Sequence, residues 1–220
     1  MLRGVFVTGT GTGVGKTVVA AAIFHRYRAF APLRYWKPVQ TGIEQDDDTA
    51  TIRRLTGCRA EDVLERGIRL PGLVSPHLAA RLSGSVITAP ELAATVRREP
   101  EARWIIEGAG GALVPLSDSE TMASLMCELA VPIVIAARTD LGTINHTLLT
   151  IEALRARRLR VAGIVMVGSP DVENRAAIER YGEVRILGEL PRIEPLTMEA
   201  LGRWASYGLD PDGIVGEYFE

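Results

Sequence analysis

Short, nearly continuous apolar runs recur along the chain, separated by stretches where apolar residues return every three or four positions. The runs at residues 2–8, 33–37, 104–107, 131–137, 161–167 and 184–187 predict buried strands. The stretches at 18–30, 49–55, 75–84, 88–98, 121–130, 145–157, 173–181 and 198–207 predict helices. Thr88-Ala-Pro-Glu91 has the spacing of a capping box at one such start. Pro32 ends the first helix, and Pro38 pushes Lys37 to extended angles at the end of the second strand. Residues 39–45 predict loop, and 57–75 carry too weak a pattern for a regular element. Apolar strands alternating with helices imply parallel pairing with both faces covered. The expected fold is a doubly wound α/β domain, a mainly parallel sheet with helices on both faces, spanning residues 1–220 as one unit. In such sheets ligands bind at the C-terminal ends of the strands.

Composition changes this picture little. A chain of 220 residues can bury a full core, and 47% hydrophobic with 24% charged residues is ordinary for a globular protein. A formal net charge of −2 argues against partners bound by bulk electrostatics, so neither nucleic acid nor a membrane surface is expected. Cys58 and Cys127 stand apart from each other and from the histidines, so no zinc or disulfide framework is expected. Met1-Leu-Arg-Gly runs straight into a strand and no apolar run approaches a membrane span, so a cytoplasmic location is expected.

The chemistry starts at Gly9-Thr-Gly-Thr-Gly-Val-Gly-Lys16-Thr17, between the first strand and the first helix. Alternating glycines let successive backbone N–H groups converge on an anion, and the helix N-terminus behind them adds its dipole. Lys16 is placed to reach the outer phosphates of a nucleotide, and the Thr17 hydroxyl to bind the accompanying Mg²⁺. The loop is one residue longer than the common phosphate-binding pattern: Thr10 stands at its first glycine, and Gly9 supplies that glycine instead.

Of the 25 lysines and arginines, only Lys16 and Lys37 are lysines. Lysine offers a compact point charge where arginine offers a planar fork, so Lys37 is expected in the same site as Lys16. Glu107 ends a hydrophobic strand, where a nucleotide enzyme places a metal or water ligand, and Gly108-Ala-Gly-Gly111 follows it. Asp46-Asp47-Asp48 precedes a helix. Such a run can cap the helix or supply oxygen ligands to a hard cation, and Asp48 lies nearest the helix start.

Five motifs in order, Gly9-Thr-x-Thr-x-Val-Gly-Lys-Thr17, Lys37-Pro-Val-x-Thr-Gly42, Ser75-Pro-His77, Glu107-Gly-Ala-Gly-Gly111 and Leu141-Gly-Thr-Ile-Asn-His146, resemble the dethiobiotin synthetases, a family with the P-loop NTPase fold. The resemblance implies an ATP-dependent ligase that closes a cyclic urea from 7,8-diaminononanoate, CO2 and ATP-Mg through a carbamate and a mixed anhydride. It implies nucleotide binding by Gly13, Val14, Gly15, Lys16, Thr17, Val18, Asp48, Glu107, Gly108, Ala109, Gly110, Pro191, Arg192 and Ile193. Mg²⁺ would be held by Thr17, Asp48 and Glu107. Substrate would meet Thr12, Lys37 and Thr41, and its far carboxylate would meet backbone N–H groups at Gly142, Thr143, Ile144 and Asn145. In the family that last loop comes from the neighbouring subunit, which implies a homodimer. Lys37 and Lys16 are the expected catalytic pair; His77 and His146 are expected to pack or hydrogen-bond.

Two positions depart from the family pattern. Gly13 stands where Glu is common, and Val167-Gly168 stands where Asn-Asp usually ends the strand and reads adenine. Weaker base discrimination is therefore expected. The main alternative is a regulatory P-loop ATPase of the partitioning type, whose signature lysine would stand at Gly11 and whose amphipathic tail has no counterpart in the acidic end 213–220. A synthetase of cobyrinic-acid type needs an amidotransferase domain for which this chain is too short.

Overall fold

The computed structural model describes residues 2–220. The chain opens with β1 (Arg3–Gly9), the phosphate-loop turn and α1 (Lys16–Tyr27), then β2 (Leu33–Trp36), β3 (Val39–Thr41) and α2 (Asp48–Thr56). After a 3-10 turn come β4 (Val63–Leu64), β5 (Ile68–Leu70), α3 (Pro76–Leu82) and α4 (Ala89–Arg97). The second half alternates strictly: β6 (Arg103–Gly111), α5 (Met122–Leu129), β7 (Ile133–Arg138), α6 (Thr143–Arg155), β8 (Val161–Val167), α7 (Val172–Gly182), β9 (Ile186–Leu190) and α8 (Met198–Gly208).

Seven strands form one sheet in the order β4-β2-β6-β1-β7-β8-β9, and every pair in it is parallel. Successive residues of a strand point to opposite faces. Phe6, Trp104 and Ile106 therefore face a core shared with α4 to α7, while Val5, Val7, Tyr35 and Ile105 face one shared with α1, α2 and α8. The doubly wound single-layer sheet expected from the pattern is the one observed. Its order places β2, β6 and β1 side by side, so the ends of three strands that are distant in sequence share one crevice.

Local structure departs from expectation in three places. Residues 39–41, expected as loop, form β3, which pairs in parallel with β5 as a small second sheet. Pro38 starts it: its carbonyl accepts the Ile68 backbone N–H at 2.8 Å. The stretch 57–75 therefore holds strands after all, in pieces of two and three residues too short to show a period. The strand expected to end at Glu107 runs on through the glycines to Gly111. A Cβ on Gly108 would lie 2.8 Å from a Phe6 ring carbon, so that glycine admits close strand-to-ring packing.

Candidate active site

The phosphate loop is built as its sequence requires. Gly13 and Gly15 have φ of +68° and +90°, in the region where side chains are strained, and α1 starts directly on Lys16. Lys16 folds back so that its Nζ donates to the Gly11 carbonyl at 2.9 Å. Burial first, and then the nearby Lys37 ammonium, bring its pKa down to about 8 against the opposing pull of Glu107 and Asp48.

Five sequence-predicted residues meet at the adjoining strand ends. Lys37, just past β2, is 3% exposed and donates to Asp48 Oδ2 at 2.6 Å, Glu107 Oε1 at 2.7 Å and the Gly108 carbonyl at 3.1 Å. An ammonium has three hydrogens, and here each has an acceptor. Burial works against that charge, but Glu107 and Asp48 outweigh it and hold the Lys37 pKa above its ordinary value. Burial likewise works against the Asp48 carboxylate, and Lys37 and Thr17 overcome it, keeping its pKa low.

Thr17 Oγ1 lies 2.8 Å from Asp48 Oδ1 and 2.9 Å from Glu107 Oε1. A hydroxyl can donate only one proton, so one of these two close oxygen pairs has no hydrogen between its atoms. Three hard oxygens thus converge, and the one hydroxyl proton among them serves a single pair. That donor set suits a magnesium ion, which takes few protein ligands beside water and phosphate oxygens. Among the described residues no group of three or more histidine, cysteine or acidic side chains gathers as a self-sufficient metal cage.

The aspartate run divides its work between two residues. Asp47 is the cap, accepting the Ala50 backbone N–H at 3.1 Å, while Asp48 begins α2 and turns to Thr17 and Lys37. Gln40 steadies the approach to this run, donating to the Asp46 carbonyl at 2.6 Å. Arg69 ties the Lys37 carbonyl, at 2.9 Å, to the Thr49 hydroxyl, at 3.2 Å.

The other predicted residues take no part in these hydrogen bonds. Thr12 is exposed and lines a cleft of about 420 Å³ with Gly111, Val114, His146 and Leu149. Thr41 ends β3, half-buried. Gly142 (φ +94°) is the N-cap of α6, whose first turn carries Thr143, Ile144 and Asn145. Thr143 is buried, and its hydroxyl donates to the Arg138 carbonyl at 2.5 Å. Pro191, Arg192 and Ile193 follow β9, with Arg192 exposed and paired to Glu194. Val14 is buried, and Val18 packs beside the core of its face. Ala109 and Gly110 lie in the last turn-ward part of β6.

Val167, at the end of β8, packs against the phosphate loop. A Cβ on Gly15 would lie 3.0 Å from a Val167 methyl. The amide of Asn174 donates to the Thr139 carbonyl at 2.9 Å and to Asp171 Oδ2 at 3.0 Å.

Tyr35 was not singled out in the sequence. It stands two residues before Lys37, on the same side of the strand, and its phenol donates to Glu107 Oε2 at 2.8 Å. Burial, reinforced by Glu107 and Asp48, raises its pKa well above the ordinary value, so it remains a protonated donor. Strand alternation offered the one available signal, and alternation also fits a plain core aromatic.

Comparison with known proteins agrees with this geometry. A family model described as an AAA domain matches residues 3–200. The ATP-dependent dethiobiotin synthetase BioD of Nitrobacter hamburgensis is 46% identical over 197 residues, which is 90% of each chain. That of Agrobacterium fabrum is 46% identical over 195 residues, 89% of each. Among solved structures, a ParA family ATPase from Chlorobium tepidum superposes with a TM-score of 0.59 at 10% identity, covering 100% of this chain and 98% of that one. At that identity the likeness concerns the fold alone. With near-complete coverage at 46% identity, the chain belongs to the ATP-dependent dethiobiotin synthetase family.

Proposed function

We propose that this protein makes dethiobiotin, joining 7,8-diaminononanoate and CO2 at the expense of ATP. One amine adds to CO2 and loses a proton, giving a carbamate. A carbamate oxygen attacks the γ-phosphorus and ADP leaves. The second amine then attacks the carbamoyl carbon, loses its proton and expels phosphate, closing the five-membered urea. No enzyme nucleophile is needed, so the protein's contribution is positioning and charge stabilisation.

The observation that carries this reading is the Lys37 ammonium. It is buried beside the phosphate loop, yet it comes from a different strand end than Lys16. A second fixed positive charge suits a site that holds two anions at once, the triphosphate and the carbamate. Held protonated by Glu107 and Asp48, Lys37 binds the carbamate and stabilises charge during transfer. All three of its hydrogens are engaged, so it gives up one contact, and the Gly108 carbonyl at 3.1 Å is the longest. Lys16 addresses the phosphates as their charge develops, with backbone N–H groups of residues 13–18 around them. Thr12 and Thr41 offer hydroxyls to the diamine end.

Thr17, Asp48 and Glu107 would hold Mg²⁺, which supplies charge neutralisation between the phosphates when bound. We assign Pro191, Arg192 and Ile193 to the flank of the base, and Gly142 to Asn145 to the far carboxylate of a substrate bound by the neighbouring subunit of a homodimer. Leu113, Leu141 and Leu149 are exposed around this region, which supports a covering partner. Among the described residues no helix is long and apolar enough to cross a membrane, in keeping with a cytoplasmic synthetase. The partitioning-ATPase reading is favoured only by fold likeness, and Gly11 stands where its signature lysine belongs.

Incubating the protein with diamine, bicarbonate and ATP-Mg tests the proposal. Dethiobiotin, ADP and phosphate should appear in equal amounts. ATP hydrolysis without any diamine-dependent product would move the chain to the ATPase class.

A further inference from the structure

The two oxygens of Glu107 have different neighbours. Oε1 faces the site, 2.9 Å from Thr17 Oγ1 and 2.7 Å from Lys37 Nζ. Oε2 faces the interior and accepts the Tyr35 phenol at 2.8 Å. Tyr35 and Glu107 are both wholly buried. In the register of β2 with β6, Tyr35 stands opposite Ile105, and Glu107 follows two residues later on the same face. Tyr35 belongs to the apolar core beneath α1, in one cluster with Val7 and Ile105. A carboxylate can turn about its last torsion and exchange its two oxygens at little cost, because that torsion is broad. A donor fixed in the core removes this freedom.

We propose that Tyr35 is a positioning residue for phosphoryl transfer: by donating to Oε2 of Glu107 it commits that oxygen and leaves Oε1 alone to face Thr17, Lys37 and the divalent cation that accompanies the nucleotide. The inference rests on the ligase reading above and deepens its account of the Glu107 carboxylate. Outer partners of ligating carboxylates orient them, and their loss lowers metal affinity. Tyr35 touches neither phosphate nor diamine, so its effect passes through Glu107 and belongs to the metal-dependent part of the reaction.

The test compares the full chain, Tyr35→Phe, Glu107→Gln and the double variant. Mn²⁺ binding in the presence of ADP is measured from the free-Mn²⁺ electron paramagnetic resonance signal, alongside Mg²⁺ dependence and diamine KM in the assay. Tyr27→Phe serves as control, since it removes another buried phenol, which bonds to Asp210 at the opposite edge of the sheet, where the Asp210 backbone N–H donates to Leu187 near the start of β9. Tyr35→Phe should weaken Mn²⁺ binding on the order of ten-fold. It should also raise the Mg²⁺ needed for half-maximal rate, lower kcat and leave the diamine KM unchanged. In the Glu107→Gln background it should add nothing, and Tyr27→Phe should leave Mn²⁺ binding as it is. Unaltered Mn²⁺ affinity in Tyr35→Phe, with only a lower melting temperature, overturns the proposal.

If Tyr35→Phe does not fold, 3-fluorotyrosine placed at position 35 keeps the donor. Its fluorine resonance should shift when Mg²⁺ is added to the ADP complex, and no shift overturns the proposal equally. The two readings separate cleanly. A wild-type protein that makes no dethiobiotin but shows the ten-fold Mn²⁺ effect loses the ligase reading and keeps the role of Tyr35. An active wild type with no such effect loses the role of Tyr35 alone.

Discussion

Replacing Lys37 by methionine keeps roughly the length and shape of the side chain and removes its charge. The ammonium sits 2.6 Å from Asp48 Oδ2 and 2.7 Å from Glu107 Oε1, and the side chains of Lys37 and Glu107 are 3% and 1% exposed. Removing one partner of a buried ion pair leaves the other charge uncompensated and costs about 3–5 kcal/mol. Two carboxylates and a threonine oxygen would then face one another with a single shared proton. For a domain of this size each kcal/mol shifts Tm by about 2–4 °C, so a fall of about 6–20 °C is expected in chelator. A divalent cation that binds only the folded state should restore part of it, about 2.7 kcal/mol at a hundred-fold excess over its Kd. The assay is thermal unfolding of Lys37→Met and wild type, each with EDTA and with Mg²⁺. The variant should gain more from Mg²⁺ than the wild type, whose carboxylates already have a cation. An unchanged Tm in EDTA would falsify the claim that the ammonium neutralises these carboxylates.

Lys37→Arg should keep the charge and most of the stability yet lower turnover by about 10²–10³, because a planar fork cannot place charge as a point beside the carbamate; a normal rate in that variant removes Lys37 from the mechanism. With Val167 and Gly168 at the end of β8 and the Asn174 amide bound to Thr139 and Asp171, ATP should be preferred over CTP and GTP by no more than about ten-fold, the worth of one ordinary hydrogen bond. Competition kinetics decide this, and a strong ATP preference contradicts it. Burial and the Asp210 carboxylate raise the Tyr27 pKa, so the unfolded chain gives up this proton near pH 10 while the folded chain keeps it. Its contribution to stability is therefore full below pH 10 and is lost as pH rises beyond it. Tyr27→Phe should cost about 1.5–3 kcal/mol at neutral pH, from the lost bond to a charged acceptor. It should also flatten the alkaline limb of the denaturation profile; parallel limbs in variant and wild type refute the assignment.

The sheet was legible because its central strands are buried on both faces and so read as unbroken apolar runs. Lys37 was legible through rarity and through Pro38, which fixes its extended approach. Glu107 was legible because a carboxylate at the end of Trp104-Ile-Ile has no structural partner in its own strand. The small sheet of β3 and β5 was hidden because pairing between three-residue segments leaves no periodic trace. The apolar run stops at Glu107, so the continuation of the strand through the glycines left no trace, and the tight contact of Gly108 with Phe6 depends on a strand 102 positions away. Tyr35 was hidden for a related reason: the residue that gives its hydroxyl a purpose is reached only when β2 and β6 lie side by side. Pairings of this kind are set by topology, and the local pattern holds no record of them.

In the proposed reaction a carbamate oxygen attacks the terminal phosphorus of ATP between two ammonium groups. A rapid-quench turnover with CO2 labelled by ¹⁸O, analysed by mass spectrometry, tests this directly. The expected result is one labelled oxygen carried from CO2 into each phosphate released, with its companion retained in the ring carbonyl. Phosphate that carries oxygen only from ATP and water, alongside dethiobiotin formation, would contradict the claim.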